Sequence, residues 1–286
     1  MKHLKNKLFI HDYHKHHVIL FIVAIIASLI LLFPLYWIFS SSLKSDMEIF
    51  KNPPTLFPGG ISWDAYKGLL IGRESVLGTA KNSLIIALGA MSISFVVAVP
   101  AAYGISRFKI PGIRWIIMLF LVTQMLPSSL LLTPMFLTFS KLKVLNTYVA
   151  PILSVTTITI PFTVMVLRPM FMSCPKELEE AAKIDGCNTI TAFLRVVLPV
   201  IRPGLITVCC FGFVHGWNDL VYSLTFNTKI KLFPMTSTIY NLMNEYGVRW
   251  NWIMAYGCLV VLPPTLIFIF AQKYVISGLT SGSVKG

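Results

Sequence analysis

The acid and base groups of this chain are few, and their positions limit the chemistry they can do. His215 and Asp219 lie one helical turn apart in a long apolar run, where an ionisable side chain is costly unless it faces protein or water. They form no proton relay. The apolar stretches hold no histidine cluster with metal-ligand spacing and no nucleophile paired with a base, which argues against an intramembrane enzyme. The pattern GxxxxGK[ST] is absent, so the chain cannot bind and hydrolyse ATP by that route. His11, His14, His16 and His17 crowd the N-terminus and read as a solvated basic tail, with a metal site as the alternative. Cys174, Cys187, Cys209, Cys210 and Cys258 show neither CxxC spacing nor a disulfide framework, and read as small buried hydrophobes.

Another grouping suits recognition better than catalysis. Phe211, His215, Asn218 and Tyr222 follow one another at steps of four, three and four, which places them on one face of a single helix. Rings cover apolar CH faces and amide or imidazole groups meet hydroxyls, a mix that fits a neutral polyhydroxylated ligand. The face reads as pathway-lining, and polar packing between membrane helices is the alternative. Gln124, with Thr123, Ser128 and Ser129 nearby, forms a second polar patch near the middle of an apolar run. Thr156, Thr157, Thr159 and Thr163 read as returning hydrogen bonds to their own backbone around Pro161.

The elements that carry these residues are membrane spans. Of the 286 residues 56% are apolar and only 12% charged, against about 25% in soluble domains. Six runs reach the length of about 18 residues expected of a span: 18–39, 83–105, 113–136, 148–169, 204–226 and 253–275. Continuous runs predict helices, since a barrel would show short alternating strands. The first run is too long for a signal-peptide core of about 7–15 residues and stays as a span. The expected fold is therefore an all-α integral membrane protein, a six-transmembrane-helix bundle. The formal charge of +13 does not mark a nucleic-acid binder, because Lys and Arg are scattered beside the spans and form no basic stripe. They set orientation instead. Arg107, Lys109 and Arg114 crowd a very short loop, which predicts both termini on the cytoplasmic side. Residues 1–17 and 276–286 are then cytoplasmic tails. Residues 43–79, with Trp63 and Tyr66, and residues 227–251, with Pro234, Tyr240, Tyr246, Trp250 and the adjacent Trp252, read as external segments carrying interfacial aromatics.

The long cytoplasmic loop, 171–203, is written as helix. Ser173 can cap, Pro175 suits a first turn, and Glu177, Glu179 and Glu180 favour a helix N-terminus. Leu178, Ala181 and Ala182 fall at i, i+3 and i+4, and their small face would let the helix seat in another protein's groove. Gly186 supplies the stop. Asn188 or Thr189 can cap a second helix with Ile190, Phe193, Leu194 and Val197 on one face, stopped or kinked by Pro199.

At these residues the chain resembles a known family. Glu180-Ala181-Ala182, then Ile184-Asp185-Gly186, then Val197-Leu198-Pro199 after a spacer is similar to the EAA loop of ATP-binding-cassette importer permeases of type I. Phe33-Pro34 with Trp37 and Ser40 to Lys44, Lys81-Asn82-Ser83, Trp217-Asn218-Asp219, Gln272-Lys273-Tyr274 with Gly278, and the C-terminal run from Gly282 to Gly286 resemble the carbohydrate-uptake branch, near the smaller membrane subunit of the maltose importer. The resemblance covers nearly the whole chain. It implies a coupling helix in which Glu180, Ala181, Ala182, Asp185, Gly186, Leu198 and Pro199 dock on an ATPase. It also implies a second, different permease in a heterodimer, two ATP-binding subunits that hold ATP and magnesium, and an extracellular solute-binding protein, all at a bacterial cytoplasmic membrane. This chain would carry no cofactor or metal of its own. A tail from Ser277 to Gly286 reaching toward the ATPase interface is a further implication. An importer of a non-sugar solute and an ion-coupled secondary transporter are the alternatives, the latter without the charged spans or internal repeats it would be expected to carry.

Overall fold

Long uncharged apolar runs close their backbone hydrogen bonds internally only as helices, and the computed structural model consists of helices joined by loops, with no strand among its described residues, 2–71, 76–239 and 249–280. The elements are α1 (Lys2–Ser42), α2 (Asp46–Ile49), α3 (Asp64–Ile71), α4 (Leu77–Arg107), α5 (Ile113–Met125), α6 (Ser128–Lys141), α7 (Val149–Ser173), α8 (Glu177–Ile184), α9 (Thr189–Ala192), α10 (Leu198–Val200), α11 (Arg202–Trp217), α12 (Val221–Phe226) and α13 (Trp250–Thr280). Four helices, α1, α4, α7 and α13, are long and apolar enough to cross a membrane by themselves. Two bent pairs bring the total to as many as six spans.

The chain divides into two compact units, Met1–Glu74 with Tyr246–Leu259, and Ser75–Glu245 with Val260–Gly286. In the first, the segment after α1 folds back on that helix. Lys44 is buried, donates to the Thr55 carbonyl and lies over the Trp37 ring at 4.7 Å. Tyr66 shares a 2.7 Å hydrogen bond with Ser42, and burial pushes its hydroxyl up to about 12. Trp252 lies so close to Gly68 that a Cβ there would meet the indole at 2.2 Å, and Phe50 meets Trp250 edge-on at 6.4 Å. Tyr66, Trp250 and Trp252 therefore brace this unit and are not simple interfacial anchors. Tyr240 and Tyr246 lie outside the described residues.

The second unit is built on α4, α7 and α11. A stripe of small side chains on α4, Ala87, Ala90, Ser94, Ala98 and Ala102, is buried and admits its neighbours closely. A Cβ on Gly89 would meet Ile152 of α7 at 2.7 Å, and one on Gly216 would meet the Ala87 Cα at 2.6 Å. Ser94 and Thr163 link α4 to α7 across 3.2 Å, whereas Thr156, Thr157 and Thr159 bond back to their own helix. Toward one end, the Asn82 amide donates to the carbonyls of Lys231 and Phe233 at 2.9 Å and accepts from Tyr148 at 2.7 Å, while the Ser83 hydroxyl accepts from the Met235 amide. Asn82 and Ser83 thus hold the segment that follows α12, while Lys81 beside them is exposed.

Three expectations need correction. The third run, 113–136, is not one straight span: α5 and α6 meet at 98°. Leu126 is extended, as a residue before proline prefers, and Pro127 has no amide with which to continue the ladder. The fifth run, 204–226, breaks after Trp217. Asp219 accepts from the amides of Tyr222 and Ser223 at 3.2 and 3.0 Å and from the Ser223 hydroxyl at 2.6 Å, so it starts a separate helix, α12. Pro199 does not stop the second loop helix. A π turn over Phe193–Val197 precedes it, the helix runs on through Val200, and the 82° bend comes between Val200 and Arg202.

Candidate functional site: a docking helix and a ring-lined strip

The candidate docking helix, α8, is ended by a full Schellman motif. Gly186 takes φ +88°, its amide donates to the Lys183 carbonyl at 3.1 Å, and the Cys187 amide reaches the Ala182 carbonyl at 2.9 Å. The chain then restarts at Asn188, whose side-chain oxygen accepts from the Thr191 amide and hydroxyl, both at 2.8 Å. Asn188, and not Thr189, is the cap. Ser173 does not cap α8; its hydroxyl bonds back to Pro169 and Met170 within α7.

What fixes α8 to the rest of the unit is a buried ion pair. The Arg107 Nε donates to Glu179 at 2.6 Å, its Nη2 donates to the Cys174 carbonyl at 2.9 Å, and the Tyr103 hydroxyl donates to the other Glu179 oxygen at 2.8 Å. The two charged side chains are only 7% and 10% exposed. Burial also pushes up the Cys174 thiol beneath the pair. The sequence reading used Arg107 for orientation alone and gave Tyr103 no role, although the two sit at i and i+4 on one face of the end of α4. Around them, Tyr103, Phe171 and Phe193 bring their rings within 4.6 to 6.2 Å of one another, and Val197 is wholly buried in the same cluster.

The predicted docking residues divide accordingly. Glu180, Ala181, Asp185 and Gly186 are exposed, as is Pro199, and Leu198 is half-buried against the cluster. Ala182 is buried, so it seats α8 on its own scaffold and does not share an outward face with Ala181. Residues one apart on a helix point about 100° apart, which sends the two alanines to different sides. The second helix splits likewise: Phe193 and Val197 turn in, while Ile190 is 70% and Leu194 54% exposed. With Leu178 and Ile184 they leave an apolar outward surface on the loop.

The residues expected to line a pathway are brought together only in part. Phe162 of α7 faces both Phe211, at 5.2 Å between ring centroids, and His215, at 6.2 Å. Gln124 donates to the Ile158 carbonyl at 2.8 Å, one turn before Phe162. Gln124, Phe211 and His215 therefore share one strip along α7. Asn218 is exposed at the end of α11. Tyr222 is elsewhere: it is buried in α12, stacked on Phe226 at 6.0 Å in a cluster with Phe139 and Val155, because the helix break at Asp219 resets the rotation. A groove of about 540 Å³ lined by Ile93, Leu131, Met135, Phe139 and Leu153 presents a largely apolar wall, since the hydroxyls of Thr138, Thr156 and Thr157 in it bond back to their own helices.

The family described as binding-protein-dependent transport system inner membrane component matches residues 94–281. This chain belongs to that family. Among its relatives, the diacetylchitobiose uptake system permease protein of Streptomyces coelicolor is 31% identical over 93% of this chain and 96% of its own length. The trehalose transport system permease protein of Mycobacterium tuberculosis is 33% identical over 89% of this chain and 93% of its own. The sulfoquinovosyl glycerol transport system permease protein of Agrobacterium fabrum is 32% identical over 89% of both chains. In fold, the chain is similar to a chain of a bacterial ABC transporter that imports the acidic polysaccharide alginate, with a TM-score of 0.78 at 20% identity over 91% of this chain and 96% of that one. The family match includes α8 and its ion pair with Arg107, so α8 and the end of α4 belong to the family's own segment. As an ABC permease the chain is a multi-pass membrane subunit that works with an ATPase and a solute-binding protein.

Proposed function

We propose that this chain is the permease subunit of an ATP-driven importer that moves a sugar, oligosaccharide or sugar derivative across the cytoplasmic membrane by alternating access. The observation that carries the coupling role is α8 itself, a short helix with an exposed Glu180-Ala181 face, stopped by Gly186 and tied to α4 by the buried Arg107–Glu179 pair. A helix exposed on one side and clamped on the other is suited to receive a push and pass it to a span. The ATPase supplies the push, since this chain carries no GxxxxGK[ST] loop. Closure of two ATP-binding subunits moves Glu180, Ala181, Asp185 and Gly186, with exposed Pro199 beside them, while Ala182 and Leu198 keep the loop seated. A second, homologous permease completes a heterodimer, an extracellular solute-binding protein delivers the ligand, and both termini lie in the cytoplasm. The sugar passes the strip formed by Gln124, Phe211 and His215, with Asn218 at its end; Tyr222 supports the wall from behind.

The test is reconstitution of the full transporter in vesicles with its binding protein, reading ATP-dependent uptake of labelled sugar. Ala182→Leu is expected to abolish uptake while the subunit still inserts, because the added atoms lift α8 from its seat. Uptake at the normal rate by that variant, in the intact complex, would sink the coupling role.

A further inference from the structure

In the first unit, the stretch from Asn52 to Trp63 carries no charged residue, yet Leu56 is 55%, Phe57 73%, Ile61 65% and Trp63 51% exposed. Its fold turns that surface back along α1. Tyr36 and Ser40 both donate to the Leu56 carbonyl at 2.9 Å, and the Phe57 ring meets Tyr36 edge-on at 6.1 Å. Tyr36 lies six residues before the end of α1, about 9 Å along the helix axis, so the tip of the loop lies beside the span and not beyond its end. Phe33 continues the strip, 6.5 Å from Tyr36. Two charges hold the shape of the loop, Lys44 on the Thr55 carbonyl and Glu48 on the Gly59 amide at 2.7 Å and the Thr55 hydroxyl at 3.0 Å, while exposed Lys51 and Asp64 mark its two ends. The span beside it is α1, whose apolar window from Val18 onward is wholly unburied in the chain.

We infer that residues 52–63 form a re-entrant membrane anchor, with Leu56 and Phe57 seated among the acyl chains of the leaflet at the C-terminal end of α1. The inference rests on the reading of α1 as a membrane span. The occupant is lipid because the exposed apolar surface of the loop is continuous with that of the span through Phe33, Tyr36 and Phe57, and because uncharged aromatic and aliphatic side chains beside a tryptophan suit the boundary between headgroups and chains.

The experiment places the photoreactive residue p-benzoylphenylalanine at Phe57, at Lys51, and at Leu29 and Leu31 on opposite faces of α1, each in the assembled transporter in vesicles of phosphatidylethanolamine and phosphatidylglycerol. Adducts are read by mass spectrometry after irradiation. Phospholipid adducts at Phe57 are expected to match the better of the two α1 positions and to exceed those at Lys51 several-fold. Adducts at Phe57 to the second permease or the solute-binding protein, or none where α1 gives lipid, would overturn the anchor alone. Absence of lipid at all three apolar positions would overturn the anchor together with the membrane reading of α1. Should substitution at Phe57 block assembly, Ile61 carries the same comparison.

Discussion

The candidate docking loop and the ring-lined strip lie in the same unit, and both are made of short-range patterns, yet they differ in how far those patterns carry into the fold. In the loop, each turn is decided within a few residues: Gly186 closes α8 and Asn188 opens the next helix. In the strip, the partners come from α5, α7 and α11, and a periodicity that looked continuous through Tyr222 is cut by Asp219. Local capping signals survive tertiary assembly because their hydrogen bonds join residues only a few positions apart in the chain. A helical face survives only if no residue within it caps a new helix.

The largest expected effect comes from removing one member of the clamp that joins the loop to α4. Glu179→Leu or Arg107→Met leaves the other charge buried and unpaired, which costs about 3–5 kcal/mol. ATP hydrolysis should continue while uptake collapses, and the double variant Arg107→Met with Glu179→Leu should regain assembly in a thermal-melting assay. If both single variants transport normally, the clamp is not what distinguishes the loop. Next is the close approach that carries the strip's own helix. Gly216→Ala drives a Cβ toward the Ala87 backbone and is expected to cost about 1–3 kcal/mol, seen as a lower melting temperature of the detergent-solubilised subunit.

Gly186→Ala is a smaller change with a sharper readout. An alanine at φ +88° costs about 1–2 kcal/mol, and uptake should fall while insertion stays intact. Gly186→Asn, which tolerates that conformation better, should recover part of the loss; equal loss from both would mean the backbone angle is not what matters. The smallest effect separates the two halves of the apparent face. Phe211→Ala and His215→Ala are expected to change uptake kinetics, since both rings meet Phe162. Tyr222→Phe should leave transport unchanged and stability equal or higher by up to about 1 kcal/mol, because its buried hydroxyl has no partner among the described residues. A transport defect in Tyr222→Phe would restore the single face.

Much of the loop was legible in advance for the reason just given. The glutamates at the start of α8, the glycine after it and the asparagine cap are statements about neighbouring residues, and the structure places helix ends within a residue or two of them. The inward turn of Ala182 was not legible, since it depends on Arg107 and Tyr103, and Arg107 is 72 residues from Glu179 in the chain. The strip was less legible still. Gln124 meets α7 at the Ile158 carbonyl just before the bend at Pro127, and no periodicity within 113–136 announces a 98° break.

By itself, the amino-acid sequence determined the solvent in which this protein folds, the helical character of its spans and the turn chemistry of its docking loop. Those depend on composition and on contacts between near neighbours, where backbone hydrogen bonding leaves few alternatives. Only the tertiary structure decided which side of each helix faces in, which charge meets which, and where an apolar run stops being one helix. Small residues such as Gly216 and Ala87 permit a close approach without specifying its partner, and a buried charge such as Glu179 is placed by whatever distant cation the packing delivers.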